Sequence, residues 1–313
     1  MNDWPKVSVI IPTKDRATDL EETIRTLLGQ TRMADELIIV DQSCDPEGCH
    51  QIEKIYAEAN DQIHRTFKLI YISDAGVPGA AMARNRAMEI AQGTILLFLD
   101  DDVQLEPDFI EKLLAVFDRY PSVVGVSGII TNYRPPAWTS RAWTTIFTHG
   151  PFFDERQPIY WNADALRQSE PIQVTKFGSG LMSFRAESIR NIRFDKNLIG
   201  VPGGEDVDFC MQLKPGSIIV IAPRARLSHK QSTNAREQVF PLRKLMRTTC
   251  YLYWRNWNTS LTNRFFFIWL VTGYALLATL SGLKRLSLEP WQALLQGMRD
   301  ARVQLSPNKL KGE

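Results

Sequence analysis

Cysteine and histidine are scarce in this 313-residue chain, with four of each. Cys44, Cys49, Cys210 and Cys250 include no C-x-x-C pair, which excludes a zinc ribbon or a related structural zinc site. Cys44 and Cys49 with His50 would make half of one, and no second ligand pair of zinc type follows. The amino-terminal stretch lacks the basic start and apolar run of a secretory signal. It enters a strand-like segment just after Pro5, so a reducing, cytoplasmic setting is expected. No internal repeat or low-complexity tract occurs. A large net charge is missing too, since 37 Lys and Arg stand against 35 Asp and Glu.

That near-balance conceals a division. Residues 224–313 carry 15 Lys and Arg against 4 Asp and Glu, a net of +11, which leaves 22 against 31, or −9, for residues 1–223. An acidic front suits a metal site, and a basic rear suits an anionic surface such as phospholipid or nucleic acid. With 44% hydrophobic and 23% charged residues, the chain can bury a substantial core.

The front of the chain alternates strand-like and helix-like segments. Val7, Val9, Ile10 and Ile11 form a β-branched run closed by Pro12, as in a buried parallel strand. Thr18 or Asp19 can cap a helix whose stripe is Leu20, Ile24, Leu27 and Leu28. Strands are expected at 36–40, 69–72, 94–99 and 123–130, with helices at 47–59, 78–92 and 106–120. This order predicts a mostly parallel sheet with helices on both faces, and ligands beyond the strands' carboxyl ends. Asp41 and the triplet Asp100, Asp101, Asp102 both fall there. Residues 131–173 break the alternation. Five prolines and the aromatics Trp138, Trp143, Phe152, Phe153, Tyr160 and Trp161 suggest either an acceptor-side loop or simple core packing. Residues 174–184 read as strand, 205–213 as helix and 218–221 as strand.

Three constellations carry chemistry. Adjacent carboxylates repel, so the aspartate triplet calls for a cation or solvent to offset it, and oxygen ligands suit Mg²⁺ or Mn²⁺. Glu205, Asp206 and Asp208 follow Gly203 and Gly204 at a helix start. There a carboxylate is favoured by the helix dipole and can also act as a general base. His229, one of few histidines, follows a strand.

Together these segments resemble family 2 of the glycosyltransferases over about residues 6–231. The resemblance rests on Val9 to Thr13, Asp41, Ala83-Arg84-Asn85, the run from Gly93 into Asp100-Asp101-Asp102, and Gly204 to Cys210. It implies a GT-A fold and an inverting transferase using a nucleoside-diphosphate sugar. By position it implies that Asp102, Asp100 and His229 hold a divalent metal, Mg²⁺ or Mn²⁺. Pro12, Thr13, Arg16, Asp41, Arg84, Asp100 and Asp101 would bind the nucleotide sugar. Asp206 would be the base, with Glu205 beside it, and Gly178, Ser179, Gly180 and Asp208 would face the acceptor. In many members a second acid follows the aspartate after the second strand, whereas Gln42 stands here, which leaves the nucleotide open. Pro12 to Arg16 contains no glycine to grip a triphosphate, which counts against a nucleotidyltransferase. The retained Asp102 and Asp206 count against a non-catalytic nucleotide-sugar-binding protein.

The expected organisation is a catalytic domain over 1–235, with a nucleotide half to about 130 and an acceptor half over 131–235. A basic, apolar helical extension then covers 236–313. Residues 265–283 carry no charge and would extend about 28 Å as a helix, close to a hydrocarbon core of about 30 Å. Basic residues flank both ends, so in-plane association through 240–303, a single span and burial within the fold are all open. A membrane surface at the inner face and a glycan or lipid-linked acceptor are the expected partners. Nucleic acid is not.

Overall fold

The structure is a computed structural model that describes residues 4–44, 52, 54–57, 67–133, 136–156, 169–178, 180–198, 204–230, 242–258 and 260–305. The strands are β1 (Val7–Thr13), β2 (Glu36–Asp41), β3 (Lys68–Ser73), β4 (Ile95–Leu99), β5 (Val103–Leu105), β6 (Val123–Ile130), β7 (Ile172–Val174), β8 (Leu181–Arg185) and β9 (Ile218–His229). The helices are α1 (Ala17–Leu28), α2 (Gly79–Ile90), α3 (Phe109–Arg119), α4 (Trp138–Phe147), α5 (Gly204–Met211), α6 (Leu242–Leu252), α7 (Leu261–Arg285) and α8 (Glu289–Gln304). They pack as two compact units, one of residues 1–134 and 156–232, the other of residues 135–155 and 233–313.

The first unit is built on one sheet of order β3-β2-β1-β4-β8-β6-β9-β5, with β7 on β9. The expected parallel arrangement holds for β3, β2, β1 and β4. Beyond β4 the sheet is mixed: β8 runs antiparallel to both β4 and β6, and β6 runs parallel to β9. The register pairs Ile95 with Arg185 and Leu99 with Leu181, so β8 runs back along β4. This reversal matters for the site. The start of β8 meets the carboxyl end of β4 through the pair Leu99 and Leu181. The end of β9 meets β5 through Val103 and His229. Thr13 and Asp41 face each other across β1 and β2.

Alternation along each strand sends residues to opposite faces of the sheet. Val9, Ile11, Leu37, Ile39, Leu97 and Leu99 join α1 and α3 in one core. Ile10, Ile38, Val40, Leu96 and Phe98 join α2 and the rings of Phe184, Phe194 and Phe209 in the other. Helix α1 begins at Ala17, so Thr18 and Asp19 sit in its first turn, and its N-cap Arg16 makes no capping bond. The Arg16 side chain is used elsewhere, as described below.

The second unit is helical. The segment 131–173 divides: α4 and the turn Gly150–Phe152 belong to this unit, and Tyr160 and Trp161 lie outside the described residues. Trp143 stacks on Tyr274 at 5.6 Å, and Phe152 meets Trp257 edge-on at 5.2 Å. Trp143 and Phe152 therefore pack, half-buried, within this unit, while Trp138 is exposed.

Gly128 in β6 has no room for a side chain: a Cβ there would lie 2.5 Å from the Ala225 carbonyl oxygen and 2.7 Å from Phe109. Gly128→Ala is expected to destabilise the chain by about 1–3 kcal/mol in chemical denaturation. Gly29→Ala, where the nearest atom would be 3.6 Å away, should change stability by less than about 0.5 kcal/mol.

Candidate active site

The three aspartates after β4 divide their tasks by alternation. Asp101 turns away from its neighbours into the first loop, where it accepts from Thr13 Oγ1 at 2.7 Å and Arg16 Nη1 at 3.0 Å. Burial pushes its carboxyl up to about 6, against the pull of Thr13 and Arg16. Asp100 and Asp102 face the other way, toward His229. The His229 Nε2 atom lies 2.7 Å from Asp102 Oδ1 and 3.9 Å from Asp100 Oδ2. One ligand atom from each of Asp100, Asp102 and His229 lies within 4.8 Å of the others. Two carboxylate oxygens and an imidazole nitrogen converging at this spacing fit a divalent cation.

The next layer is centred on Arg84 of α2, whose side chain is 1% exposed. Its Nη2 meets Asp100 Oδ1 at 2.9 Å, and its Nη1 meets Glu205 Oε1 at 2.9 Å and Asp206 Oδ1 at 3.8 Å. The guanidinium also lies over the Phe194 ring, 5.5 Å from its centroid. Burial opposes its charge, but Asp100, Asp206 and Glu205 outweigh that and raise its pKa. Asn85, the next residue, grips the backbone of Phe194 through its side-chain amide: Nδ2 donates to the Phe194 carbonyl at 2.8 Å and Oδ1 accepts from its N–H at 2.9 Å. Arg84 thus lies between the metal-side carboxylate and the acidic helix.

Helix α5 carries Glu205 and Asp206 in its first turn, where the helix dipole favours negative charge. Asp206 is fully buried. Burial pushes Glu205 up to about 7, with Arg84 opposing and Asp206 adding to the rise. Asp208 is also buried and accepts from Gln212 Nε2 at 3.0 Å. The Cys210 thiol, pushed up to about 12 by burial, accepts from the Phe177 N–H and is chemically quiet.

At the other end of the edge, Asp41 accepts from the Ser43 N–H at 2.8 Å and from the Tyr71 hydroxyl. Gln42 is buried beside it and donates its backbone N–H to the Thr13 carbonyl at 2.9 Å. Sequence reasoning missed Tyr71 and Ser43. Tyr71 carries no signal beyond alternation in β3, and Ser43 has only its two-residue spacing from Asp41, a common Asx-turn pattern.

Of the glycine-containing segment, Ser179 lies outside the described residues. Gly180 has φ +72, and a Cβ on it would lie 1.9 Å from Asp100 Oδ2. A Cβ on Gly178 would meet the Arg156 guanidinium at 1.8 Å. Gly180 is therefore what lets β8 start directly against the aspartate turn.

The family model for glycosyl transferase family 2 matches residues 8–187, more than half of the chain. The chain belongs to this family. Its fold is the GT-A arrangement, and membership sets aside the nucleotidyltransferase alternative. TuaG of Bacillus subtilis, named as a glycosyltransferase of teichuronic acid biosynthesis, is 37% identical over 115 residues, covering 36% of this chain and 43% of TuaG. The chain thus spans less than half of that relative's length. The glucosyl-dolichyl phosphate glucuronosyltransferase of Haloferax volcanii is 24% identical over 244 residues, covering 72% of this chain and 69% of that one. Among solved structures, the mannosyltransferase PcManGT from Pyrobaculum calidifontis, in complex with GDP-Man and Mn²⁺, has TM-score 0.59 at 17% identity and covers 100% of this chain and 89% of its own. S. aureus TarS 1-349 in complex with UDP-GlcNAc has TM-score 0.61 at 15% identity, covering 97% and 82%. At such identities the two structures speak for the fold.

Two outcomes follow from this geometry. Gly180→Ala is expected to weaken Mn²⁺ binding at least about tenfold by calorimetry, because left-handed backbone and the Asp100 carboxylate both exclude a methyl group. Glu205 should also make the metal-free protein sensitive to pH. Its folded pKa of about 7 lies above the ordinary 4.5. Its stabilising contribution is therefore complete below about pH 4.5 and lost as pH rises through about 7. Glu205→Gln should flatten the fall of melting temperature across that interval relative to the unsubstituted protein.

Proposed function

We propose that this chain is an inverting glycosyltransferase that moves a sugar from a nucleoside-diphosphate donor to an acceptor hydroxyl. The observation that carries the reading is the single guanidinium of Arg84, which ties a cation-binding trio to a fully buried carboxylate at a helix start. Pro12, Thr13, Arg16 and Asp41 hold the nucleoside, with Asp101 fixing Thr13 and Arg16 in place. Asp100, Asp102 and His229 would hold a divalent cation, which when bound would supply Lewis-acid neutralisation of the leaving diphosphate. His229 adds a nitrogen donor to two carboxylates and so favours Mn²⁺ over Mg²⁺. Arg84 keeps Asp100 and Glu205 at fixed separation while charge redistributes.

Asp206 takes the proton of the acceptor hydroxyl as its oxygen attacks the anomeric carbon. The new C–O bond forms on the face opposite the breaking bond to the diphosphate, so one displacement inverts the centre, by the logic that distinguishes inverting from retaining glycosidases. Gly178 and Gly180 border the acceptor, and the catalytic region is the unit of residues 1–134 and 156–232. The acceptor is a cell-envelope glycan, carried on lipid at the cytoplasmic face of a membrane. The names of the Bacillus and Haloferax relatives support this acceptor class.

The test is a panel of UDP-, GDP- and dTDP-sugars with Mn²⁺, Mg²⁺ or EDTA, following release of the nucleoside diphosphate. One donor should be turned over, faster with Mn²⁺ and not at all in EDTA. Asp102→Ala should abolish the metal-dependent release, and Asp206→Asn should lower kcat by about 10²–10⁴-fold with the nucleotide still bound. Nucleotide binding that ignores metal would overturn the role given to the aspartate trio.

A further inference from the structure

Helix α7 shows two different apolar faces. One packs within its own unit: Leu270, Gly273, Tyr274 and Ala278 are buried. Phe267 stacks on Tyr253 at 3.9 Å, a Cβ on Gly273 would strike Phe147 at 2.6 Å, and the Trp269 indole donates to the Ile146 carbonyl at 2.6 Å. The other face has no partner among the described residues. Leu261, Phe265, Ile268, Leu276, Leu280 and Leu283 follow one another along it at helical spacing, with Thr272 and Thr279 between them and no charge. Leu261 is 81%, Phe265 62% and Leu283 68% exposed. Apolar stripes of this extent mark interaction sites.

Charge says what covers the stripe. Exposed Arg264 stands near one end, and exposed Lys284 and Arg285 stand at the other. Residues 135–155 and 233–313 together hold 13 Lys and Arg against 6 Asp and Glu, a net of +7. A second copy would bring the same charge to the same stripe. An anionic lipid surface complements it, attracting the basic ends while accepting the apolar residues between them.

Packing sets the orientation. The stripe covers about 33 Å at 1.5 Å per residue, enough to cross a hydrocarbon core of about 30 Å. From Phe266 to Ala278, however, the opposite face of α7 is occupied by neighbours of the same unit. Among these is α6, whose Thr249 meets the Tyr274 hydroxyl at 3.1 Å and which also bears Arg243, Lys244 and Arg247. A spanning α7 would draw these cations into hydrocarbon, a heavy cost. An in-plane α7 immerses only the stripe.

We propose that α7 docks its Leu261–Leu283 stripe in the plane of an anionic phospholipid membrane, with Arg264, Lys284 and Arg285 on headgroup phosphates. This goes beyond the glycosyl-transfer reading and does not depend on it. The test is flotation of the full chain, added from dilute detergent, with preformed vesicles of phosphatidylcholine alone or with 30% phosphatidylglycerol added (about a third of the headgroups anionic, enough to set a negative surface potential). The protein should float with the anionic vesicles, lose its preference for them in high salt, and be released by alkaline carbonate. Phe265→Glu with Leu276→Glu should reduce binding at least about tenfold while circular dichroism and melting temperature hold, because both sites are exposed. The milder Phe265→Ser with Leu276→Ser provides the same comparison if the charged pair does not fold. Lys284→Glu with Arg285→Glu should remove only the preference for anionic vesicles. Resistance to carbonate would mean a span and would overturn the in-plane geometry. Equal indifference to both vesicle types would overturn the proposal, most directly if the double-glutamate variant also turned a dimer into a monomer.

Discussion

A buried guanidinium holds this site together. Carboxylates packed as closely as Asp100, Glu205 and Asp206 would repel one another severely if water alone screened them. Arg84 lies in a place where its own desolvation is costly, and it is retained because three acids surround it. Removing one partner of such a buried group leaves the others uncompensated, which is far costlier than never assembling them. The flat face of Arg84 rests on Phe194, and Asn85 pins the backbone of that residue. Two neighbouring residues of α2 thus fix the electrostatics and the shape of one corner.

The mixed sheet makes this possible. A wholly parallel sheet would present only carboxyl ends of strands at the ligand edge. By reversing at β8, the chain brings the start of one strand against the aspartate turn, and there a glycine can approach more closely than any residue with a side chain. The extended β9 then returns His229 to the same edge, opposite β5. Loop, turn, strand start and helix start meet at one place because the topology changes direction there.

Much of the fold was legible in the sequence, because β-branched runs and helical stripes alternate cleanly through the first 130 residues. The placement of Asp41 and the aspartate triplet at strand ends could be read from that alternation alone. The reversal at β8 could not, since a strand buried on both faces looks alike in either direction. The resemblance groups Arg84 with the nucleotide, and its carboxylate partners stand 16 and 121 positions away, separations that no local pattern encodes. The aromatics after residue 131 have two readings of equal weight in the sequence, and the pairing of Trp143 with Tyr274 and of Phe152 with Trp257 depends on residues more than 100 positions away.

Asp101 has a consequence of a different kind. It is the middle residue of the triplet, yet it points away from the cation ligands and clasps the loop after β1 through Thr13 and Arg16. Arg16 in turn reaches Asp102 at 3.5 Å. In the proposed reading, the loop that borders the nucleoside and the turn that borders the cation are thus tied together by these contacts. A nucleoside that stiffened the loop would then stiffen the turn as well, and by thermodynamic reciprocity a cation would aid the nucleoside by the same factor. In the proposed reading, occupancy of the two ligand positions would be linked through the carboxylate that anchors the first loop.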